Sequence, residues 1–126
     1  MKTYSKVSLR IIGDLDIEGL SNEIGIPPTH SHKKNEIGRL GAVFDSDMWS
    51  LSAPLDNSLP LDKHLLWLVD KLENRYDVLR KISDYAKIDV FCSFTTGEQS
   101  GFFLSPKALS IFYQLQINLE VSLILR

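Results

Sequence analysis

The chain has 126 residues, 44% of them hydrophobic and 24% charged, the balance of one soluble globular domain over 1–126. Folding at that length buries roughly two thirds of the surface of the unfolded chain, enough for a single core without staples. A formal net charge of −2, a pI near 5.9 and no basic run longer than Lys33-Lys34 argue against nucleic acid and anionic membrane as partners.

The stretch "YSKVSLRIIG" alternates, with Val7, Leu9 and Ile11 on one side and Lys6, Ser8 and Arg10 on the other, which predicts a strand with one buried face. Gly13 ends it. Asp16 then caps a short helix with Leu20 and Ile24 on its inner side and Gly25 as its stop. Pro27-Pro28 bars further helix and opens a polar, extended stretch from Thr29 to Lys34. "NEIGRLGAVFDSD" has little periodicity and reads as a loop or a ragged hairpin. "MWSLS" predicts a short strand with Trp49 and Leu51 on one face, and "APLDNSLP" a linker bounded by Pro54 and Pro60.

Leu61, Leu65, Leu68, Leu72, Tyr76, Leu79 and Ile82 recur at spacings of three and four, one stripe of a helix. One long helix fits, and so do two, the second capped by Asn74. "KIDVFCSF" alternates again, Ile88, Val90, Cys92 and Phe94 against Asp89, Phe91 and Ser93. "TTGEQSG" reads as a turn and "FFL" as a short strand. Ser105 as cap and Pro106 at the first helical position start a helix through "SPKALSIFYQL". "INLEVSLILR" is the cleanest alternation in the chain. Its Leu119, Val121 and Leu123 are expected to be buried, each Leu→Ala change costing about 2–5 kcal/mol, and removal of the strand is expected to unfold the domain.

This order predicts an α+β fold, a mixed and mainly antiparallel sheet with helices packed on one face. The first six elements follow a ferredoxin-like split βαβ order, to which a strand-helix-strand is added. "LDIEGLSNEIGI" and "LSPKALSIFYQL" share a capped-helix layout with few identities.

The blocks "VSLRIIG", "IPPTHSHKKNE", "MWSLSAPLD", "LDKHLLWLVDKL", "IDVFCSF" and "GFFLSPKAL" stand in an order that resembles the bacterial domain-of-unknown-function 4279 family over nearly the whole chain. The resemblance implies a compact α+β domain from a bacterium. It implies no activity, cofactor or catalytic residue. In that family the block at 29–36 carries a basic and an aromatic residue where this chain has His30 and His32.

Candidate chemistry is sparse. His30 and His32 would share one face of a strand, but a zinc site takes three or four ligands and no third has a fixed spacing to them. They read as a polar edge strand, with no metal expected. Asp14, Asp16 and Glu18 lack a glutamate at the twelfth loop position, where Gly25 stands, and read as helix capping rather than a calcium loop. Cys92, the single cysteine, alternates inward as a core thiol and excludes an internal disulfide. No serine stands in a nucleophile elbow, and no phosphate-binding loop is present. His64 and Trp67 lie one turn apart at the margin of the long stripe, where they would cover a core edge or, with Trp49, wall a pocket.

What remains is the polar face of the strands: Lys6, Ser8, Arg10, Asp89, Phe91, Ser93, Asn118, Glu120 and Ser122. It lacks the stacking aromatics and basic excess of an RNA-binding sheet. Mixed charge around Phe91 suits a protein partner or a second copy of the chain, with Arg10, Asp89, Phe91 and Glu120 as contact residues. Its charge pairs are expected to be exposed and worth about 0–1 kcal/mol, so that Phe91→Ala and Arg10→Glu leave the melting temperature within a few degrees. The expected function is a non-catalytic protein-binding module without cofactor, in one form an immunity-type neutraliser. The alternative is a small-ligand or enzymatic domain with its pocket near His64, Trp67 and Trp49. No apolar run approaches signal-peptide or membrane-spanning length, so the expected location is cytoplasmic.

Overall fold

The computed structural model describes residues 3–97 and 99–126. In chain order the elements are β1 (Tyr4–Gly13), α1 (Ile17–Ile24), β2 (His30–His32), β3 (Asp47–Ser52), α2 (Leu61–Leu72), a 3-10 turn (Glu73–Arg75), α3 (Tyr76–Ile82), β4 (Lys87–Thr96), α4 (Pro106–Leu115) and β5 (Asn118–Leu125). The fold is α+β. One five-stranded sheet has the order β2-β3-β1-β4-β5, antiparallel at every pairing except β4 with β5. That parallel pair follows from its connection, since only a crossover such as α4 returns the chain to the same end of the sheet.

Register sorts the faces. Val7 stands beside Cys92, Leu9 between Leu51 and Val90, and Ile11 between Trp49 and Ile88. These side chains form one core with the inner stripes of α1, α2, α3 and α4. Helices therefore cover this face of the sheet, which is what the alternation in β1 and β4 demands.

The caps follow the sequence. Asp16 accepts from the Gly19 amide, and Gly25 closes α1 in the left-handed region at φ 80°. Arg75 adds a second clasp there, donating from Nε to the Ile24 carbonyl at 3.0 Å. Ser105 caps α4 with Pro106 at its start, and buried Asp62 of α2 accepts from both the Ser105 amide (2.8 Å) and its hydroxyl (3.0 Å). The start of α4 is thus tied to the start of α2.

Several expectations are corrected. The long stripe is two helices, but Asn74 does not cap the second. It lies inside the 3-10 turn, and α3 has no side-chain cap. The tighter turn keeps Leu72 and Tyr76 both facing the core. "FFL" is not a strand; Phe102 instead meets Phe94 edge-on, ring centroids 5.3 Å apart. The turn read at 95–101 includes Glu98, outside the described residues.

The largest correction concerns β5. It is an edge strand, and the helical layer covers only its first part. Leu119 packs against the core, whereas Val121, Leu123 and Leu125 are 40%, 60% and 74% exposed. Alternation identified the side of the sheet correctly but not how far the helices reach. The large cavity cost expected for this strand belongs instead to residues such as Leu65 and Leu68, which are fully buried.

Candidate functional site

The polar faces of β1, β4 and β5 align in rows. Arg10 stands opposite Asp89, which neighbours Asn118; Ser8 stands opposite Phe91, which neighbours Glu120; Lys6 stands opposite Ser93, which neighbours Ser122. All nine residues expected on this face lie on it, opposite the face on which the helices pack into the core. β3 extends it with Met48, Ser50 and Ser52, and the Ser8 and Ser52 hydroxyls lie 2.6 Å apart. Sequence reading missed the β3 contribution because it weighed only Trp49 and Leu51, although Met48, Ser50 and Ser52 alternate with them.

At the centre of the face Arg10, Asp89, Phe91 and Glu120 form one cluster. The Arg10 guanidinium grips Asp89 with two bonds, Nε to Oδ1 at 2.8 Å and Nη2 to Oδ2 at 2.7 Å. Nη2 also reaches across β4 to Glu120 Oε2 at 2.7 Å. The guanidinium carbon sits 4.6 Å from the centroid of the Phe91 ring, a cation–π contact. Lys87 approaches Asp89 at 3.9 Å. Hydrogen bonding to Asp89, followed by the charges of Asp89 and Glu120, raises the Arg10 pKa against the opposing effect of burial.

This geometry corrects the energetic expectation. The Asp89 side chain is only 1% exposed although it lies on the open face, and the Arg10 guanidinium forks onto both of its oxygens. A fork-shaped, two-bond pair around a buried carboxylate is not a solvated surface pair. Reversing the charge at Arg10 would set a second carboxylate against Asp89, so Arg10→Glu is not thermally neutral. Phe91→Ala also loses the cation–π contact.

The other candidates separate. Trp49 is fully buried in the core and its Nε1 donates to Ser21 Oγ at 3.1 Å, which fastens α1 to β3. His64 is fully buried too, well inside the margin expected for it. Neither ring nitrogen makes a hydrogen bond of good geometry. Burial lowers its pKa, partly offset by the nearby backbone of Asp56 and Leu59. Trp67 borders a cleft of about 430 Å³, lined also by Ile26, Pro27, Leu51, Ala53 and Pro54 with Lys6 and Lys71. A second cleft, about 330 Å³, indents the end of the open face between Tyr4, Lys6, Asn57, Ser93, Thr95 and Arg126.

His30 and His32 lie on the edge strand β2, ring centroids 6.1 Å apart. His32 stacks on Phe44 of the long loop at 3.5 Å and 5°. This stack ties the long loop to the β2 edge of the sheet. Among the described residues no three His, Cys, Asp or Glu side chains gather as a metal site. Cys92 is fully buried, and burial pushes its thiol up to about 12, far from a ready thiolate.

The profile of one family, a domain of unknown function (DUF4279), matches residues 2–125. The chain belongs to that family. No curated protein and no solved structure matches it. Membership in DUF4279 accounts for the block order of the sequence and attaches no role to the Arg10 cluster. Among the described residues of this DUF4279 chain no helix is long and apolar enough to cross a membrane.

The buried imidazole gives a pH test. A histidine whose folded pKa lies below its unfolded value of 6.5 contributes nothing adverse above that value. As pH falls below it, the unfolded chain takes up the proton first and stability declines until the folded pKa is passed. Melting curves from pH 8 to pH 5 should therefore drop below about pH 6.5, the ordinary histidine value, and a His64→Leu variant should lack that drop. Parallel profiles for the two proteins would exclude His64 as the cause. Asp47 acts lower. Its carboxylate accepts from the Leu15 and Lys34 amides at 2.9 and 2.7 Å, which lowers its pKa from the usual value of 3.8. Its stabilisation is present above that value and lost as pH falls through the lowered one.

Proposed function

We propose that this domain is a non-catalytic module that binds another protein through the open face of its sheet. The observation that carries the reading is the pre-set cluster at the centre of that face. Arg10 is held by Asp89 and Glu120 over Phe91 with 22% of its side chain still exposed. A fixed guanidinium on an aromatic, ringed by serines, offers a partner a contact that costs little side-chain entropy. The reading places the protein in the bacterial cytoplasm, and one concrete form of it is an immunity-type neutraliser of a partner. A toxin-like gene beside its own would support that form.

The test uses positions on the face but outside the cluster. Lys6 is exposed and Ser93 half-buried, both off the core, so Lys6→Glu and Ser93→Arg should leave the melt close to that of the parent. Proteins retained from native-host extract by the parent should be lost on both variants. Retention by both variants as strong as by the parent overturns the reading.

A second reading is a small-ligand domain using the cleft beside Trp67. Its support is the cleft's largely apolar lining, which also includes two lysines, a lining suited to a small apolar anion. Quenching or shift of Trp67 fluorescence on titration with such compounds, lost in Trp67→Phe, would favour it over the protein-binding reading.

A further inference from the structure

The two edges of the sheet are built differently. The β2 edge is three residues long, follows Pro27-Pro28 and runs into Lys33-Lys34, the usual devices that keep an edge from pairing. The β5 edge is eight residues long and has none of them: no proline, no lysine and one charge, Glu120, in "NLEVSLIL". Its backbone groups alternate. The Arg126 amide donates to the Thr96 carbonyl of β4, so Ile124 and Ser122, in phase with it, also turn their backbone toward β4. The amides and carbonyls of Val121, Leu123 and Leu125 then point off the open edge. The same three residues carry the exposed apolar side chains on the helix side.

From this edge we infer that β5 pairs antiparallel with β5 of a second copy, about a twofold axis at Leu123. Among self-pairings that keep like faces together, this register matches the charges. Glu120 meets Arg126 of the other copy on the open face, and Arg126 meets Glu120 in turn. On the helix side Val121 meets Leu125, and Leu123 meets its own copy. Both the hydrogen-bonding edge and the exposed apolar row are thereby satisfied, as a twofold interface requires. The sheet becomes continuous across two chains, and the two open faces lie on the same side. The occupant is a second copy because one strand supplies both halves of the charge pair.

Three variants of the full chain test this, each checked by circular dichroism for a folded spectrum. Sedimentation of the parent should give twice the chain mass, falling to the chain mass on dilution. Leu123→Lys sets two ammonium groups together at the axis and should remove the dimer. Arg126→Glu and Glu120→Lys should each be monomeric alone, since each puts like charges together. Their equimolar mixture should recover the dimer, because the two strands then pair acid with base at both positions. A parent that stays monomeric up to its solubility limit overturns the inference. So does undiminished dimer in Leu123→Lys, or a mixture that stays monomeric; the last rejects this register even if the parent dimerises.

Discussion

Trp49→Ala should lower stability by about 3–5 kcal/mol, the range for emptying a fully buried aromatic site. Trp49 has no exposed surface, stands beside Ile11 in the sheet and bonds Ser21 of α1. The substitution removes core volume and leaves the Ser21 hydroxyl without its indole donor. At a typical entropy of unfolding the midpoint should fall by about 10 °C or more. Trp49→Phe, which keeps most of the volume and drops only the N–H, should lose far less. Thermal melts of both variants measure this. If Trp49→Ala melts like the parent, β3 and α1 are not joined through this side chain.

Arg10→Ala should be the costliest single truncation on the open face, on the order of 3 kcal/mol, because it leaves a buried carboxylate without its partner. The Asp89 side chain is 1% exposed and takes two of the guanidinium bonds. Removing both members should cost much less than the sum of the single changes, since no charge is then stranded. Denaturant titrations of Arg10→Ala, Asp89→Ala and the double variant give the coupling, expected at about 1 kcal/mol or more. Additive losses would mean that the pair is solvated and that Arg10 is free to reorient. Glu120→Ala is a useful contrast. Its side chain is 57% exposed and makes one bond to Arg10, so its loss should be within about 1 kcal/mol.

The two experiments probe different levels of the molecule. Trp49 reports on the helix–sheet core. Arg10 reports on the face opposite it, where the proposed partner would dock. A variant that weakens binding without altering the melt must therefore come from outside the Arg10–Asp89 pair, which is why Lys6 and Ser93 are the positions chosen.

Alternation in "KVSLRII" and "IDVFCSF" determined which side chains of β1 and β4 face the helices, because a strand has a side-chain period of two. Asp16, Gly25, Ser105 and Pro106 determined where α1 and α4 begin or end, since capping is a local matter of backbone amides and φ angles. That Arg10, Asp89, Phe91 and Glu120 share one polar face was also legible. Which of them touch was decided by strand register. Arg10 lies opposite Asp89 only because β1 pairs with β4, residues 79 apart in the chain. The two-bond fork of Arg10 on the buried Asp89 carboxylate is a contact that no local pattern encodes. Exposure of Leu123 and Leu125 likewise depended on the reach of the helices over β5. Periodicity states which side of a sheet a residue faces; whether anything covers that side is settled only when the layers pack.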